Sequence, residues 1–189
     1  MRKLIVQEWL SADGFAADEQ GSTDFFGPTA ANASADEDIL SSMESVDTIL
    51  LGANTYRMFL GFWPTDQSAK EIMADRINET TKIVFSNSLD QVEWGKFDTI
   101  QLQQGDAVEA VKKLKQQEGK DLVLWGSLSL FRSLLSANLI DAIKISTVPI
   151  ILGKGIRLFG ESDPIHLETG DTKKYDSGNT LVSYRVKGK

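Results

Sequence analysis

The chain has 189 residues, 41% hydrophobic and 25% charged, and its 20 basic and 27 acidic residues give a net charge of −7. This composition is typical of one α/β domain with a full core, and it excludes a general basic field for binding nucleic acid or membrane surfaces. The absence of cysteine excludes disulfides, thiolate metal sites and a thiol nucleophile. No apolar run has the length of a signal peptide or a membrane span, so a cytoplasmic protein is expected.

The N-terminal part predicts a strand, a long loop and a helix. Residues 3–10, KLIVQEWL, are rich in β-forming residues and predict the first strand. Residues 11–33 are rich in glycine, small residues and acids; loops of this length are uncommon inside compact domains and are often functional. Ser34 and Glu37 have the spacing of a capping box, which predicts a helix over 34–46.

The middle of the chain alternates strands and helices. Short apolar runs predict strands at 47–52 and 82–86. A helix begins directly after the first of these, in ANTYRMFLGFW, and another is predicted at 66–78. Residues 106–119 form a further predicted helix, which ends at Gly119.

The C-terminal part continues this order and ends in a hairpin. We predict a strand at 121–125, a helix at 128–138 and a strand at 140–151. PIHLETGDTKKYD and GNTLVSYRV predict an antiparallel hairpin. The order indicates a single α/β domain over 1–189, with a mostly parallel mixed sheet, helices on both faces and an antiparallel C-terminal hairpin.

Three predicted strands end in Gly or Ser followed by small polar residues. They lie in ILLGANTY (49–56), IVFSNSL (83–89) and LVLWGSLSLF (122–131). Ligands of open α/β sheets bind at the carboxyl ends of the strands, where helix N-termini present unpaired N–H groups, so the pattern predicts an anionic, nucleotide-like ligand. Gly52 and Gly126 allow the backbone to approach a phosphate closely. Taken alone, each junction is already explained by a turn or a helix cap, and the prediction depends on all three lying at the same edge of the sheet.

Six stretches between Lys3 and Phe159 are distinctive in their order: SADGFAAD, TILLGANTY, WP at 63–64, KIVFSNSL, GKDLVLWGSLSLFRSLLSANLID and VPIILGKGIRLF. They resemble the dihydrofolate reductase-like family, and within it the RibD C-terminal reductase domain of riboflavin biosynthesis. The resemblance implies a three-layer α/β/α fold, a homodimer, and NADPH as the cofactor with NADH as the alternative. It also implies hydride transfer to a small heterocyclic or carbonyl substrate, similar to 5-amino-6-(5-phosphoribosylamino)uracil reductase.

The resemblance also implies a cofactor site. The nicotinamide is expected against the end of the first strand and the tryptophan of LVLWGS. Residues 52–55 are expected at the pyrophosphate and the 2′-phosphate side, residues 126–129 around the pyrophosphate, and residues 86–88 beside the adenosine. The residues concerned are Leu10, Ser11, Gly52, Ala53, Asn54, Thr55, Ser86, Asn87, Ser88, Trp125, Gly126, Ser127, Leu128 and Ser129.

The chain departs from the family pattern at the expected 2′-phosphate contact. Relatives commonly carry a basic residue in a GRKTY-like segment, where this chain has Ala53 and Asn54. Since an arginine fork suits a 2′-phosphate, we expect NADPH and NADH to bind within about tenfold of each other. A thousandfold preference for NADPH would indicate that another residue supplies the contact.

Hydride transfer needs no protein nucleophile, but a proton must reach the substrate. Asp13, which follows the first strand, is the first candidate for this catalytic role, although an Asp-Gly turn explains it equally well. Asp24, beside the apolar pair at 25–26, is the second candidate. The acids at 36–38 are interpreted as favouring the dipole of the first helix.

The remaining polar and aromatic features give weaker indications. His166 is alone, so no metal site is predicted. Lys154 and Arg157 suit either a substrate phosphate or a solvated turn, and Trp9 and Trp63 are assigned to packing.

The expected partner is a small-molecule substrate. Two alternatives to this reductase are a true dihydrofolate reductase, which would need a buried acid on the first helix, and a nucleotide-binding module without catalysis.

Overall fold

The computed structural model describes residues 1–27, 33–160 and 163–187. The strands in this part of the chain are β1 (Leu4–Ser11), β2 (Phe15–Ala17), β3 (Val46–Gly52), β4 (Thr81–Phe85), β5 (Ile100–Gln103), β6 (Asp121–Trp125), β7 (Ala142–Val148), β8 (Ile156–Arg157), β9 (Leu167–Lys174) and β10 (Thr180–Val186). The helices are α1 (Ala33–Ser42), α2 (Ala53–Leu60), α3 (Ala74–Glu79), α4 (Ala107–Gln116) and α5 (Leu128–Ser136).

Eight of these strands form one sheet in the order β5-β4-β3-β6-β1-β7-β10-β9. The first six are parallel, whereas β10 is antiparallel to both β7 and β9. β2 and β8 pair separately as a small antiparallel sheet. The predicted mixed sheet with its C-terminal hairpin is therefore confirmed.

The helices cover both faces of the sheet. Val6, Leu124 and Phe131 belong to the core beneath α4 and α5. Ile49 and Ile77 belong to the opposite core, beneath α1, α2 and α3. Central parallel strands are covered on both faces, which explains their nearly continuous apolar sequences. The result is the predicted three-layer α/β/α arrangement.

The structure differs from the prediction mainly between α2 and β4. In place of a helix over 66–78 it has a 3-10 turn at Asp66–Ser68 and the six-residue α3. Ser68 Oγ and Asn78 Nδ2 both donate hydrogen bonds to the main-chain oxygen of Trp63, at 2.6 and 2.9 Å. Such side-chain bonds to the backbone compete with a continuous helix.

Smaller differences occur elsewhere. The first helix already includes Ala33, so Ser34 lies inside it instead of capping it, and a 3-10 turn follows at Met43–Ser45. The four-residue β5 was not predicted, because its partly exposed IQLQ sequence gives little hydrophobic signal. Within the described residues, no helix combines the length and apolarity needed to cross a membrane.

Candidate cofactor and substrate site

A cleft of about 1640 Å³ lies at the carboxyl ends of β3, β4 and β6 and beside β1. It is larger than the usual site of one drug-sized molecule, so it has room for a dinucleotide together with a small second ligand. We call the part formed by 52–55, 86–87 and 126–129 the nucleotide end. The part formed by Trp9, Asp36, Ile39, Phe59, Trp63 and Glu71 is called the substrate end.

Two helix N-termini without side-chain caps form the nucleotide end. Gly52 and Ser127 stand at the N-cap positions of α2 and α5, and neither helix has a side-chain cap hydrogen bond. Ser127 Oγ instead accepts a hydrogen bond from Gly52 N at 2.6 Å, and Ser127 N donates to Thr55 Oγ1 at 2.9 Å. These bonds join the ends of β3 and β6. Because first-turn N–H groups lack partners within a helix, both helices can receive an anion here.

The backbone at Gly126 requires glycine. Its φ is +56°, a left-handed conformation that side chains rarely adopt. An added Cβ would lie 2.7 Å from Thr55 Oγ1, the atom that accepts the hydrogen bond from Ser127. The glycine therefore keeps the two helix N-termini close together, and this geometry fits a dinucleotide pyrophosphate.

Eleven of the fourteen residues predicted to bind cofactor line the cleft. They are Gly52, Ala53, Asn54, Thr55, Ser86, Asn87, Trp125, Gly126, Ser127, Leu128 and Ser129. The other three are placed elsewhere. Leu10 belongs to the core beneath α5, Ser11 Oγ bonds Asp13 Oδ1 and Phe15 N, and Ser88 lies beside Ser86 with their hydroxyl oxygens 3.3 Å apart.

The two predicted catalytic acids have different positions. Asp13 is not among the cleft-lining residues. It accepts hydrogen bonds from Ser11 Oγ at 2.7 Å, Gly153 N at 2.8 Å and Leu152 N at 3.1 Å, and these bonds hold its pKa below the usual range. Its contacts hold the 152–153 turn against the end of β1. Asp24 is exposed and lies at the cleft, in the 3-10 turn Asp24–Phe26.

Sequence reasoning missed Asp36 as a site residue. Asp36 is half-buried on α1 and lines the cleft. Burial and the nearby charge of Glu71 raise its pKa to about 6. Its position three residues before the buried Ile39 and seven before the buried Met43 places it on the inward face of the helix, and this spacing was a usable signal.

Glu8 is a second acid that sequence reasoning did not identify. It lies in the middle of β1, is 5% exposed and lines the cleft. Burial raises its pKa to about 8, and its Oε1 has no hydrogen-bond partner among the described residues. The alternation of a strand puts Glu8 on the same face as Val6 and Leu10. A charged residue inside a mostly apolar strand was the available signal.

Aromatic side chains form much of the lining at the substrate end of the cleft. The ring centroid of Phe59 lies 6.0 Å from the ring centroid of Trp125 and 6.1 Å from that of Trp63. Trp9 and Phe26 form another pair at 5.8 Å. Trp9 and Trp63, for which the sequence predicts only a packing role, also line the cleft.

The basic residues considered for a substrate phosphate lie outside the cleft lining. Lys154 Nζ pairs with Glu19 at 2.5 Å, and the Arg157 guanidinium lies 4.6 Å from the ring centroid of Phe15. In the described part of the chain, no group of three or more His, Asp or Glu side chains is placed to hold a metal ion.

The model of the RibD C-terminal domain family matches residues 2–181. Uncharacterized protein YyaP of Bacillus subtilis (strain 168) is 25% identical over 99% of this chain and 96% of its own length. A candidate riboflavin biosynthesis protein from Shewanella sp. PV-4, known from a crystal structure, is 26% identical in sequence and has a TM-score of 0.74. The match covers 98% of this chain and 99% of that chain.

The diaminohydroxyphosphoribosylaminopyrimidine deaminase/5-amino-6-(5-phosphoribosylamino)uracil reductase of Thermotoga maritima has a TM-score of 0.67 at 18% identity. The match covers 98% of this chain and 56% of that chain. At this identity the likeness shows the fold alone. Together these matches confirm the expected dihydrofolate reductase-like fold.

Proposed function

Because the chain belongs to the RibD C-terminal domain family, we propose that it is an NAD(P)H-dependent reductase that transfers hydride to a small heterocyclic or carbonyl substrate. The observation that carries the proposal is the pair of uncapped helix N-termini, at Gly52 and Ser127, in the same cleft as the half-buried Asp36. Anion-binding amides suit a dinucleotide, and a desolvated carboxyl group suits proton transfer.

The residues present divide the work of such a reaction. A bound nicotinamide would supply the hydride. The first-turn amides of α2 and α5 would hold the pyrophosphate, and Gly126 leaves room for it. Phe59 and Trp125 would exclude water from the reacting region. Asp36, with a pKa of about 6, would hold at its carboxyl group the proton that the reduced substrate needs.

The first test is titration of the purified protein with NADPH and NADH, followed through tryptophan fluorescence. Trp125 lines the cleft directly before the nucleotide-end segment 126–129, so we expect saturable quenching at micromolar cofactor. Oxidation of the bound cofactor with a panel of heterocyclic and carbonyl substrates then tests the chemistry. Absence of binding at millimolar NADPH and NADH would overturn the proposal.

Dihydrofolate is the second candidate substrate, and Asp36 favours it. A true dihydrofolate reductase needs a buried acid on its first helix, and Asp36 is a half-buried acid on α1 at the cleft. The substrate panel should therefore include dihydrofolate. Cofactor binding without oxidation by any compound in the panel would instead favour a nucleotide-binding module.

We expect Asp36→Asn to lower turnover about a hundredfold, because the amide cannot exchange the proton. NADPH affinity should stay within about twofold, since Asp36 lies at the substrate end. If Asp36 acts as the acid, wild-type turnover should fall as the pH rises through about 6, and the variant should lack this dependence. Steady-state rates from pH 5 to 9 measure both effects. Glu37→Gln is the control, because Glu37 is exposed on the same helix. Full turnover in Asp36→Asn would contradict the role assigned to Asp36.

Cofactor preference gives a separate prediction about Arg57. Its Nη1 donates to Asn54 Oδ1 at 3.2 Å, which puts an exposed guanidinium beside the segment that lacks the family's basic residue. If this guanidinium contacts a 2′-phosphate, Arg57→Met should weaken NADPH binding about tenfold and leave NADH binding unchanged. Paired fluorescence titrations decide this. Equal losses for the two cofactors would show that Arg57 does not contact that phosphate.

A further inference from the structure

The central sheet splits at the carboxyl end of β1. β1 pairs with β6 as far as Gln7 and Trp125, whereas its pairing with β7 continues to Ser11. From Glu8 onward, the edge of β1 that faced β6 therefore has no strand beside it in the described part of the chain. We call this opening the strand gap, and its cleft-lining residues are Glu8, Ala16, Trp125 and Leu130.

The strand gap is open to both faces of the sheet. Trp125 belongs to the core beneath α1, α2 and α3. Ala16 and Leu130 belong to the core beneath α4 and α5. Glu8 lies on this second face, because the alternation of β1 places its side chain with that of Val6. A group that enters the gap therefore meets Trp125 from one face of the sheet and Glu8 from the other.

The Glu8 carboxyl group points to a ligand in the strand gap. The residue is 5% exposed, and its Oε1 atom accepts no hydrogen bond from the residues that the structure describes. Burial raises its pKa to about 8, so the group is protonated near neutral pH and has an O–H donor beside an acceptor oxygen. Because buried polar atoms are generally hydrogen-bonded, we expect a ligand to supply the missing partner.

A neutral carboxyl group is matched by an uncharged group that has an acceptor and a donor side by side. A carboxamide has this pattern, since its oxygen accepts and its nitrogen donates hydrogen bonds. In a nicotinamide dinucleotide this group is on the nicotinamide ring. The adenine has a similar edge, but it is expected after β4, which lies three strand positions from β1, or roughly 14 Å away. The phosphate groups are anions, and a buried acid does not favour them.

We propose that Glu8 is a positioning residue for the cofactor, and that its carboxyl group binds the carboxamide of the nicotinamide ring in the strand gap. The carboxyl O–H donates to the carboxamide oxygen, and the carboxamide N–H donates to Oε1. This pairing holds the ring in one rotation about its bond to the ribose, with one face toward the substrate end. The inference rests on the proposed function, in which NAD(P)H occupies the nucleotide end.

Three ligands that share the pyrophosphate test the role of the carboxamide. They are NADPH, its reduced 3-acetylpyridine analogue, in which a methyl group replaces the amide nitrogen, and 2′-phospho-ADP-ribose, which lacks the nicotinamide. Isothermal titration calorimetry measures their affinities without turnover. For the wild type we expect the acetyl analogue to bind about tenfold more weakly than NADPH, because one buried hydrogen bond is lost. Equal affinities of these two ligands would overturn the proposal.

Two variants connect this difference to Glu8. Glu8→Leu removes the donor and the acceptor, so its NADPH affinity should fall at least about tenfold, and its preference for NADPH over the acetyl analogue should shrink to about twofold. Glu8→Gln keeps an acceptor oxygen and N–H donors, so its NADPH affinity should stay within about threefold of the wild type. The affinity for 2′-phospho-ADP-ribose should be the same in all three proteins.

The outcomes separate the role of Glu8 from the proposed function. An unchanged preference for NADPH in Glu8→Leu, or equal losses of NADPH affinity in the two variants, would overturn the role of Glu8 and leave the proposed function standing. A parallel loss of 2′-phospho-ADP-ribose affinity in Glu8→Leu would do the same, since that ligand has no carboxamide. The wild-type comparison decides the matter if Glu8→Leu does not fold. Failure of the proposed function would appear as absence of NADPH binding to the wild type, and it would overturn both proposals.

Discussion

Gly126→Ala is expected to weaken NADPH binding about a hundredfold, or ~2.7 kcal/mol. The φ of +56° disfavours alanine, and the added Cβ would lie 2.7 Å from Thr55 Oγ1. Relief of this contact requires Thr55 to move away from Ser127 N, its hydrogen-bond donor. The N-termini of α2 and α5 would then separate, and the pyrophosphate would lose amides from one of them.

Fluorescence titration with NADPH measures this loss, and Gly153→Ala is the matched control. Gly153 has a similar φ of +75°, but an added Cβ there would have no neighbour within 4 Å. The control therefore repeats the backbone strain without the crowding, at a residue outside the cleft lining. If both variants bind NADPH as tightly as the wild type, Gly126 does not shape a phosphate site.

Glu8→Gln is expected to stabilise the protein at alkaline pH and to reduce the pH dependence of its stability. The carboxyl group has a pKa of about 8 in the folded protein and an ordinary value of 4.5. Between these values the folded state holds a proton that the unfolded state has lost. The contribution of Glu8 to the free energy of unfolding therefore falls as the pH rises from 4.5 through 8, by roughly 5 kcal/mol. Glutamine resembles the protonated acid and removes this loss.

Urea unfolding at pH 5, 7 and 9 measures the free energies of unfolding. The difference between variant and wild type should be small at pH 5 and should increase to pH 9. Glu109→Gln serves as the control, because Glu109 is largely exposed and its ion pair with Lys112 joins two exposed side chains. A Glu8 variant whose advantage is the same at pH 5 and pH 9 would show that the carboxyl group does not titrate as its burial implies.

Most residues of the nucleotide end are predictable from the family resemblance of the sequence. Gly52, Thr55, Gly126 and Ser127 stand at strand ends whose apolar runs are visible along the chain. A strand followed by a helix is a local pattern, and parallel strands bring their carboxyl ends to one edge. The exact partners were not predictable, because the bonds of Ser127 to Gly52 and Thr55 join residues more than 70 positions apart.

Most acidic residues of the cleft, in contrast, were not predicted from the sequence. Asp13 had the expected position after the first strand, but turn residues 152–153 occupy its carboxylate. Asp36 and Glu8 received no catalytic role, although both line the cleft. Whether a carboxyl group is solvated, hydrogen-bonded or buried depends on residues distant in sequence, and local patterns carry little information about them.

The sequence by itself determined most of the order of strands and helices, the placement of helices on both faces of the sheet, and the glycines at the nucleotide end. These features follow from the spacing of apolar residues along the chain and from the backbone conformations that glycine allows, and both are properties of short segments. Only the tertiary structure decided which carboxyl groups lie in the cleft and hold protons near neutral pH. The reason is that desolvation depends on every neighbouring side chain, so it exists only once α1, β1 and the segment before α3 have packed around the same cleft.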